Sequence, residues 1–168
     1  SFAQCGFSLT SYDCYPYTLE NSLVGVGRVG EIITHEVTEV EREKQRAQRF
    51  RDNLDVQRQS YRRFFSNYGA PVAMYGAGHL AATFINLLRL KDHMEFVVDD
   101  NPNKRGLLMP GSKLPVAGSA ALVERGIKLC LTSVALESEE KVVQKNQAFV
   151  QAGGTFASIF PASKHALK

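Results

Sequence analysis

The feature that most constrains this chain is a short apolar run, Val72-Ala73-Met74-Tyr75, that leads straight into Gly76-Ala77-Gly78. The stretch that follows, His79 to Leu90, carries Leu80, Phe84, Leu87 and Leu88 at helical spacing. A strand that turns on glycines directly into a helix is the opening unit of a Rossmann-type α/β domain. Gly76-Ala77-Gly78-His79-Leu80-Ala81 has the G-x-G-x-x-A spacing, and each position has a physical task. Gly76 permits the tight turn, Gly78 lets a phosphate approach the backbone, and Ala81 lets the helix pack close to the sheet. Amides at the start of the helix and its positive dipole end favour an anion there. Asp99 follows about 20 residues later, where such folds place an acid for a ribose hydroxyl. The same glycines also suit a tight turn with no ligand. His79 is either a phosphate partner or merely an exposed side chain at the helix start.

Beyond this unit the alternation continues. Met94 to Val98 reads as the second strand and Leu114 to Val116 as a short edge strand. Ser119 is placed to cap a helix that Gly126 ends, and Ile127 to Leu131 reads as another strand. Glu137 to Gln151 reads as one helix stopped by Gly153-Gly154, and Thr155 to Ile159 closes the series. Strands alternating with helices imply right-handed crossovers and a parallel sheet covered on both faces. The expected fold class is therefore α/β, a Rossmann-like parallel sheet of order 3-2-1-4-5, preceded by a long helix and short N-terminal strands.

A second glycine motif, Gly25-Val26-Gly27-Arg28-Val29-Gly30, matches G-x-G-x-x-G in full. Its context differs. It is approached through Tyr17-Thr18-Leu19-Glu20-Asn21-Ser22 and left through Glu31-Ile32-Ile33-Thr34, which favours β structure over a helix start. It reads as a strand or turn rather than a phosphate loop.

Three segments result: residues 1–35 with short strands such as Gly6 to Tyr12 and Glu31 to Thr34, a helix over 36–68, and the α/β domain over 69–168. From Glu36 to Tyr68 there is no Gly or Pro, and Val37, Val40, Ala47, Phe50, Leu54, Tyr61, Phe65 and Tyr68 recur at spacings of three, four and seven. This reads as one long amphipathic helix, with Asp52-Asn53 as the one point where it could break. A narrow apolar stripe on so long a helix needs a partner, so the helix reads as a connector or as the arm of a homodimer.

Several function classes are set aside by composition. The net charge of +3 is modest, and the basic residues between Arg42 and Arg63 are interleaved with Glu and Asp, the pattern of a solvated helix face rather than a nucleic-acid surface. No apolar run approaches the roughly 20 residues needed to span a bilayer, and a cytoplasmic location is the default expectation. Cys5, Cys14 and Cys130 form no C-x-x-C pair, and His35, His93 and His165 stand in no metal-ligand spacing. No metal site and no Ser/His/Asp or Cys/His catalytic set is expected.

The stretch Phe96-Val97-Val98-Asp99-Asp100-Asn101-Pro102-Asn103-Lys104-Arg105-Gly106, with Pro110-Gly111 and Leu114-Pro115-Val116 after it, is more specific. It resembles the C-terminal domain of the sugar C-methyltransferases, whose pattern there is V-V-D-x-N-P-x-K-x-G followed by P-G and I-P. Tyr75-Gly76-Ala77, Thr83, Asn86 and the terminal Phe160-Pro161 also fall where that family has them. The similarity runs from about Val72 to Pro161. It departs in the glycine turn, where the family commonly has A-A-K-G and this chain has Gly78-His79-Leu80-Ala81. A similar stretch also occurs in nucleotide-sugar-binding domains of sugar acetyltransferases.

The resemblance implies a domain that holds a nucleotide sugar for an upstream methyltransferase domain, with residues 1–35 as the last strands of that domain. It implies no cofactor in this chain, S-adenosylmethionine belonging to the upstream part. In methyltransferases of that kind an acid usually ends the strand before the cofactor glycines, whereas Met74-Tyr75 stands here. The expected substrate-binding residues are Gly76, Ala77, Gly78 and His79 for the diphosphate, with Asp99, Asn101, Asn103 and Lys104 on the neighbouring loop. Two other readings stay open: an NAD(P)-binding oxidoreductase domain, and a non-catalytic dimerising or regulatory module built on the long helix.

Overall fold

The computed structural model describes residues 5–16, 21–30 and 40–167. The chain divides into two compact units, Ser1–Ala47 and Gln48–Lys168. In the first, β1 (Phe7–Pro16) and β2 (Asn21–Val29) form an antiparallel pair with a register shift between Leu9 and Ser11. The full G-x-G-x-x-G motif thus lies largely within β2, which confirms its reading as β structure. The strand expected at Gly6 to Tyr12 runs on to Pro16, and the one expected at Glu31 to Thr34 lies outside the described residues.

Helix α1 (Val40–Tyr68) runs unbroken through Asp52-Asn53. No break occurs there, and side-chain pairs support the helix on either side of the point. Gln48 donates to Asp52, and Arg58 to Asp55, at the three- and four-residue spacings that support helices.

The second unit holds a five-stranded parallel sheet made of β3 (Val72–Tyr75), β4 (Val97–Val98), β5 (Val116–Ala117), β6 (Leu129–Thr132) and β7 (Thr155–Ser158). Its spatial order is β5-β4-β3-β6-β7. Counted within this sheet, that order is 3-2-1-4-5. β3 is the central strand, paired with β4 on one side and β6 on the other. Every residue of β3 and β6 is buried, the pattern of strands covered on both faces.

Alternation along β3 assigns its side chains to two cores. Val72 and Met74 pack with Phe65 of α1 and with Ala81, Ile85 and Leu88 of α2 (His79–Leu88). Ala73 and Tyr75 face the opposite layer with Leu122, Val142 and Phe149. That layer comprises α3 (Ala121–Glu124), α4 (Leu136–Lys145) and α5 (Gln147–Gln151).

The strand bounds differ from the sequence expectation, with β4 covering only Val97–Val98 of Met94 to Val98, β5 Val116–Ala117 instead of Leu114 to Val116, and β6 Leu129–Thr132 instead of Ile127 to Leu131. Three features of the helices differ as well. Helix α2 stops at Leu88 because Arg89 takes the left-handed conformation, its N–H and that of Leu90 closing back on Asn86 and Ile85. The helix expected at Glu137 to Gln151 divides at Asn146, whose side-chain amide donates to the Val142 carbonyl at 2.7 Å and competes with the helix ladder. Helix α3 has Ala120 rather than Ser119 as its cap residue, and no side-chain cap; Ser119 contributes only its carbonyl, to Leu122 N–H.

Candidate functional site

The glycine turn sits at the carboxyl end of the central strand, where open α/β sheets place their ligands. Gly76 has φ +103°, and a Cβ there would lie 2.9 Å from Ser133 Oγ and 3.2 Å from Val134 Cγ1. The residue is fixed as glycine by both backbone and packing. Gly76 N–H donates to Val98 at 2.8 Å, and Gly78 N–H folds back on the Gly76 carbonyl at 2.9 Å. From the β6 side, Ser133 Oγ lies 3.0 Å from the carbonyls of both Tyr75 and Gly76.

Gly78 is different. It stands at φ −119°, ψ −173°, a conformation open to any residue, and a Cβ there would meet nothing within 4 Å. It begins α2 without a side-chain cap, so the first-turn amides of the helix have no side-chain acceptor at that position. His79 is exposed at the first helical residue.

The loop after β4 is tied to this turn by one carboxylate. Asp99 Oδ2 accepts from Ala77 N–H and from Lys104 Nζ, each at 2.9 Å, and Oδ1 accepts from Asn101 N–H at 2.9 Å. Lys104 Nζ also donates to the Ala77 carbonyl at 3.0 Å, so Ala77 is held through both its backbone groups. Burial pushes the Asp99 carboxyl up, but the bonds from Asn101, Lys104 and Ala77 together with the Lys104 charge outweigh it. The net result lies below the usual carboxylate range.

Asn101 spends its side-chain oxygen on Asn103 N–H at 3.0 Å and starts the short 3-10 turn Pro102–Lys104. Asp100 bonds to Lys145 of α4 at 2.6 Å. The Tyr75 hydroxyl is buried without a hydrogen bond of normal geometry, with Asp100 and Asn146 as its polar neighbours.

The structure therefore brings Gly76, Ala77, Asp99, Asn101, Asn103 and Lys104 into one bonded unit, with Gly78 and His79 at its open side. Sequence reasoning places Lys104 among the substrate-binding residues of the neighbouring loop; in the structure its ammonium bridges the two halves of the unit. Ser133 was not anticipated. Its position just past β6, beside the point where the strand order reverses, is the signal that could have found it. Asn86 and Gly111, two of the residues that carry the family resemblance, have a packing role: Asn86 Nδ2 donates to the Pro110 carbonyl at 3.0 Å, and Gly111 is pressed against it.

Among the described residues, no helix is long and apolar enough to cross a membrane, and no cluster of three or more His, Cys, Asp or Glu side chains could hold a metal ion.

Comparison with curated proteins returns no match. Among solved structures, the chain is similar to RSP, a Rex-family repressor, at 14% identity and a TM-score of 0.44, over 58% of this chain and 50% of the repressor. The match thus spans half of that protein's length. It is also similar to UDP-D-quinovosamine 4-dehydrogenase from Vibrio fischeri, at 17% identity and a TM-score of 0.43, over 55% of this chain and 80% of the dehydrogenase. A family model described as the C-methyltransferase C-terminal domain matches residues 18–161, which include the whole of the unit built around Gly76 and Asp99. With most of its length matched, the chain belongs to the C-methyltransferase C-terminal domain family.

Proposed function

We propose that this chain is the nucleotide-sugar-holding part of a C-methyltransferase, with the diphosphate over Gly76-Ala77-Gly78-His79 and the Asp99–Lys104 loop as one wall. The observation that carries this reading is Gly78. Neither backbone conformation nor packing requires glycine there, yet a side chain would project into the open space at the start of α2. An uncapped helix start with clear space above it suits a diphosphate. Asp99, Asn101 and Lys104 act mainly by holding the turn in shape, and the ligand is assigned to the backbone of the turn and to the exposed side chain of Asn103. With both Asp99 oxygens already accepting backbone or ammonium protons, the acid that a dinucleotide's ribose would require is largely spent. That favours a nucleotide sugar over NAD(P).

In this reading the methyl group comes from S-adenosylmethionine bound in an upstream domain, and the present chain supplies binding and orientation only. Calorimetry with UDP, a UDP-sugar, the parent nucleoside and S-adenosylmethionine tests it. Binding of the two diphosphates with little or none by the nucleoside is the expected result. Tight binding of S-adenosylmethionine, or equal binding of nucleoside and diphosphate, would overturn it.

A further inference from the structure

The loop after β4 carries one more cation, Arg105, whose surroundings differ from those of the loop's other charges. Asp99 is paired with Lys104 and Asp100 with Lys145, so both acids of the loop are already matched. Among the described residues the Arg105 side chain makes no ion pair and no hydrogen bond. Its backbone is nevertheless fixed on both sides. Arg105 N–H donates to the Pro102 carbonyl at 3.3 Å, and Gly106 N–H donates to Val116 of β5 at 2.9 Å.

The guanidinium also has a seat. A Cβ on Gly118, the residue after β5, would stand 3.3 Å from Arg105 Nε and 3.4 Å from Cζ. Gly118 lies outside the left-handed region, so its backbone conformation does not call for glycine; the close approach of Arg105 does. Asp99 N–H donates to the Ala117 carbonyl at 3.0 Å, which sets Gly118 and Asp99 side by side at the carboxyl ends of neighbouring strands. Arg105 thus stands on the same edge as the glycine turn and two strands further out, roughly 10 Å across the sheet at about 4.8 Å per strand. Open α/β sheets bind their ligands along this edge.

An unmatched guanidinium on a fixed backbone offers a planar face for stacking and a fork of donors. The two ends of a nucleotide sugar differ in what they present to it. A nucleobase is planar and carries ring acceptors; a hexose has no aromatic face. We infer that Arg105 receives the base, so that the nucleoside lies over the carboxyl ends of β4 and β5 and the sugar points the opposite way, toward β6 and Ser133. The inference rests on the nucleotide-sugar reading and adds to it the direction of the ligand and a residue that recognises the base.

The test is calorimetry of UDP, UDP-glucose and inorganic pyrophosphate with the full 168-residue chain and with Arg105→Ala, Arg105→Lys and Gly118→Ala. Arg105 is exposed, and melting curves check that each variant remains folded. The parent is expected to bind UDP at least about tenfold more tightly than pyrophosphate. Arg105→Ala should weaken UDP and UDP-glucose alike by about tenfold, while pyrophosphate stays within about threefold because exposed charges at this separation are screened. Arg105→Lys keeps the charge without the planar fork and should not restore UDP binding. Gly118→Ala should weaken UDP in the parent and have no further effect once Arg105 is Ala. Equal losses of UDP and pyrophosphate, or full rescue by lysine, would make Arg105 a general cation and overturn the inference. A loss confined to UDP-glucose would put the sugar at this end and overturn it too. Unchanged UDP binding by folded Arg105→Ala would overturn it while leaving the nucleotide-sugar reading in place. A parent that binds neither UDP nor UDP-glucose would remove that reading and this inference with it.

Discussion

Asp99 Oδ2 accepts the Ala77 N–H at 2.9 Å, so the residue that follows the second strand of the parallel sheet fixes the middle of the glycine turn after the first. The same carboxylate takes Asn101 N–H and the Lys104 ammonium. Replacing it with Asn leaves one oxygen to accept and removes the charge. Asp99→Asn is expected to cost about 1–3 kcal/mol at pH 7. The pH dependence has a defined sign. A carboxyl held below its ordinary range in the folded state contributes stability above that range, and the contribution is lost as pH falls through the folded-state value. The stability gap between the parent and Asp99→Asn should be flat from pH 7 to 5 and should close below about pH 4. Urea titrations at several pH values measure it; a gap that is unchanged between pH 7 and pH 2 would mean that the charge plays no part.

Arg89 is a second place where local structure makes a numerical forecast. It closes α2 in the left-handed region, at φ 55° and ψ 49°, where a side chain other than that of Gly or Asn is strained. Its side chain makes no ion pair among the described residues. Arg89→Gly should therefore raise stability by about 0.5–1 kcal/mol, the relief of strain exceeding the entropy gained by the unfolded chain. A thermal melt that shifts downward would contradict this account of the helix end.

Much of the architecture was legible because β3 and β6 are buried on both faces, and such strands announce themselves as continuous apolar runs such as Leu129-Cys130-Leu131. The glycine turn was legible because G-x-G between a strand and a helix admits few alternatives. The division of α4 from α5 at Asn146 was not, since it depends on one side-chain amide choosing a backbone carbonyl over solvent. Nor was the role of Lys104. Sequence spacing places it on the loop after Asp99, but only the fold brings the Ala77 carbonyl within its reach. Residues whose work is to bond to a distant backbone group leave no periodic trace.

The contact between Asn86 and Gly111 lends itself to a double-mutant test. A Cβ on Gly111 would lie 2.5 Å from Asn86 Nδ2, and Gly111 itself has φ +75°. Gly111→Ala should cost about 2–3 kcal/mol from steric overlap and left-handed strain together. With Asn86→Ala already in place the overlap is gone and only the backbone strain remains. The cost of Gly111→Ala should then fall by about 1 kcal/mol, the coupling expected of residues in contact. Equal costs in the two backgrounds would show that the loop moves aside and that Asn86 is not what confines it.

The last expectation separates the two glycines and the lysine of the candidate site. Gly76→Ala places a Cβ 2.9 Å from Ser133 Oγ at φ +103°, so it should destabilise the fold by about 2–4 kcal/mol and weaken every property of the site with it. Gly78→Val meets no neighbouring atom and an extended backbone that valine tolerates, so its melting temperature should stay within a few degrees of the parent. Its side chain nevertheless occupies the space assigned to the diphosphate, and affinity for a nucleoside diphosphate sugar should drop by at least a hundredfold, about 3 kcal/mol. Lys104→Ala lies between them. It removes bonds to Ala77 and Asp99 from a partly exposed ammonium, so a loss of about 1–2 kcal/mol in stability and a roughly tenfold loss in affinity are expected together. Parallel calorimetric titrations and melts of the three variants distinguish the roles. If Gly78→Val folds as the parent does and binds the nucleotide sugar equally well, the ligand does not lie on this turn, and the uncapped start of α2 serves the fold alone.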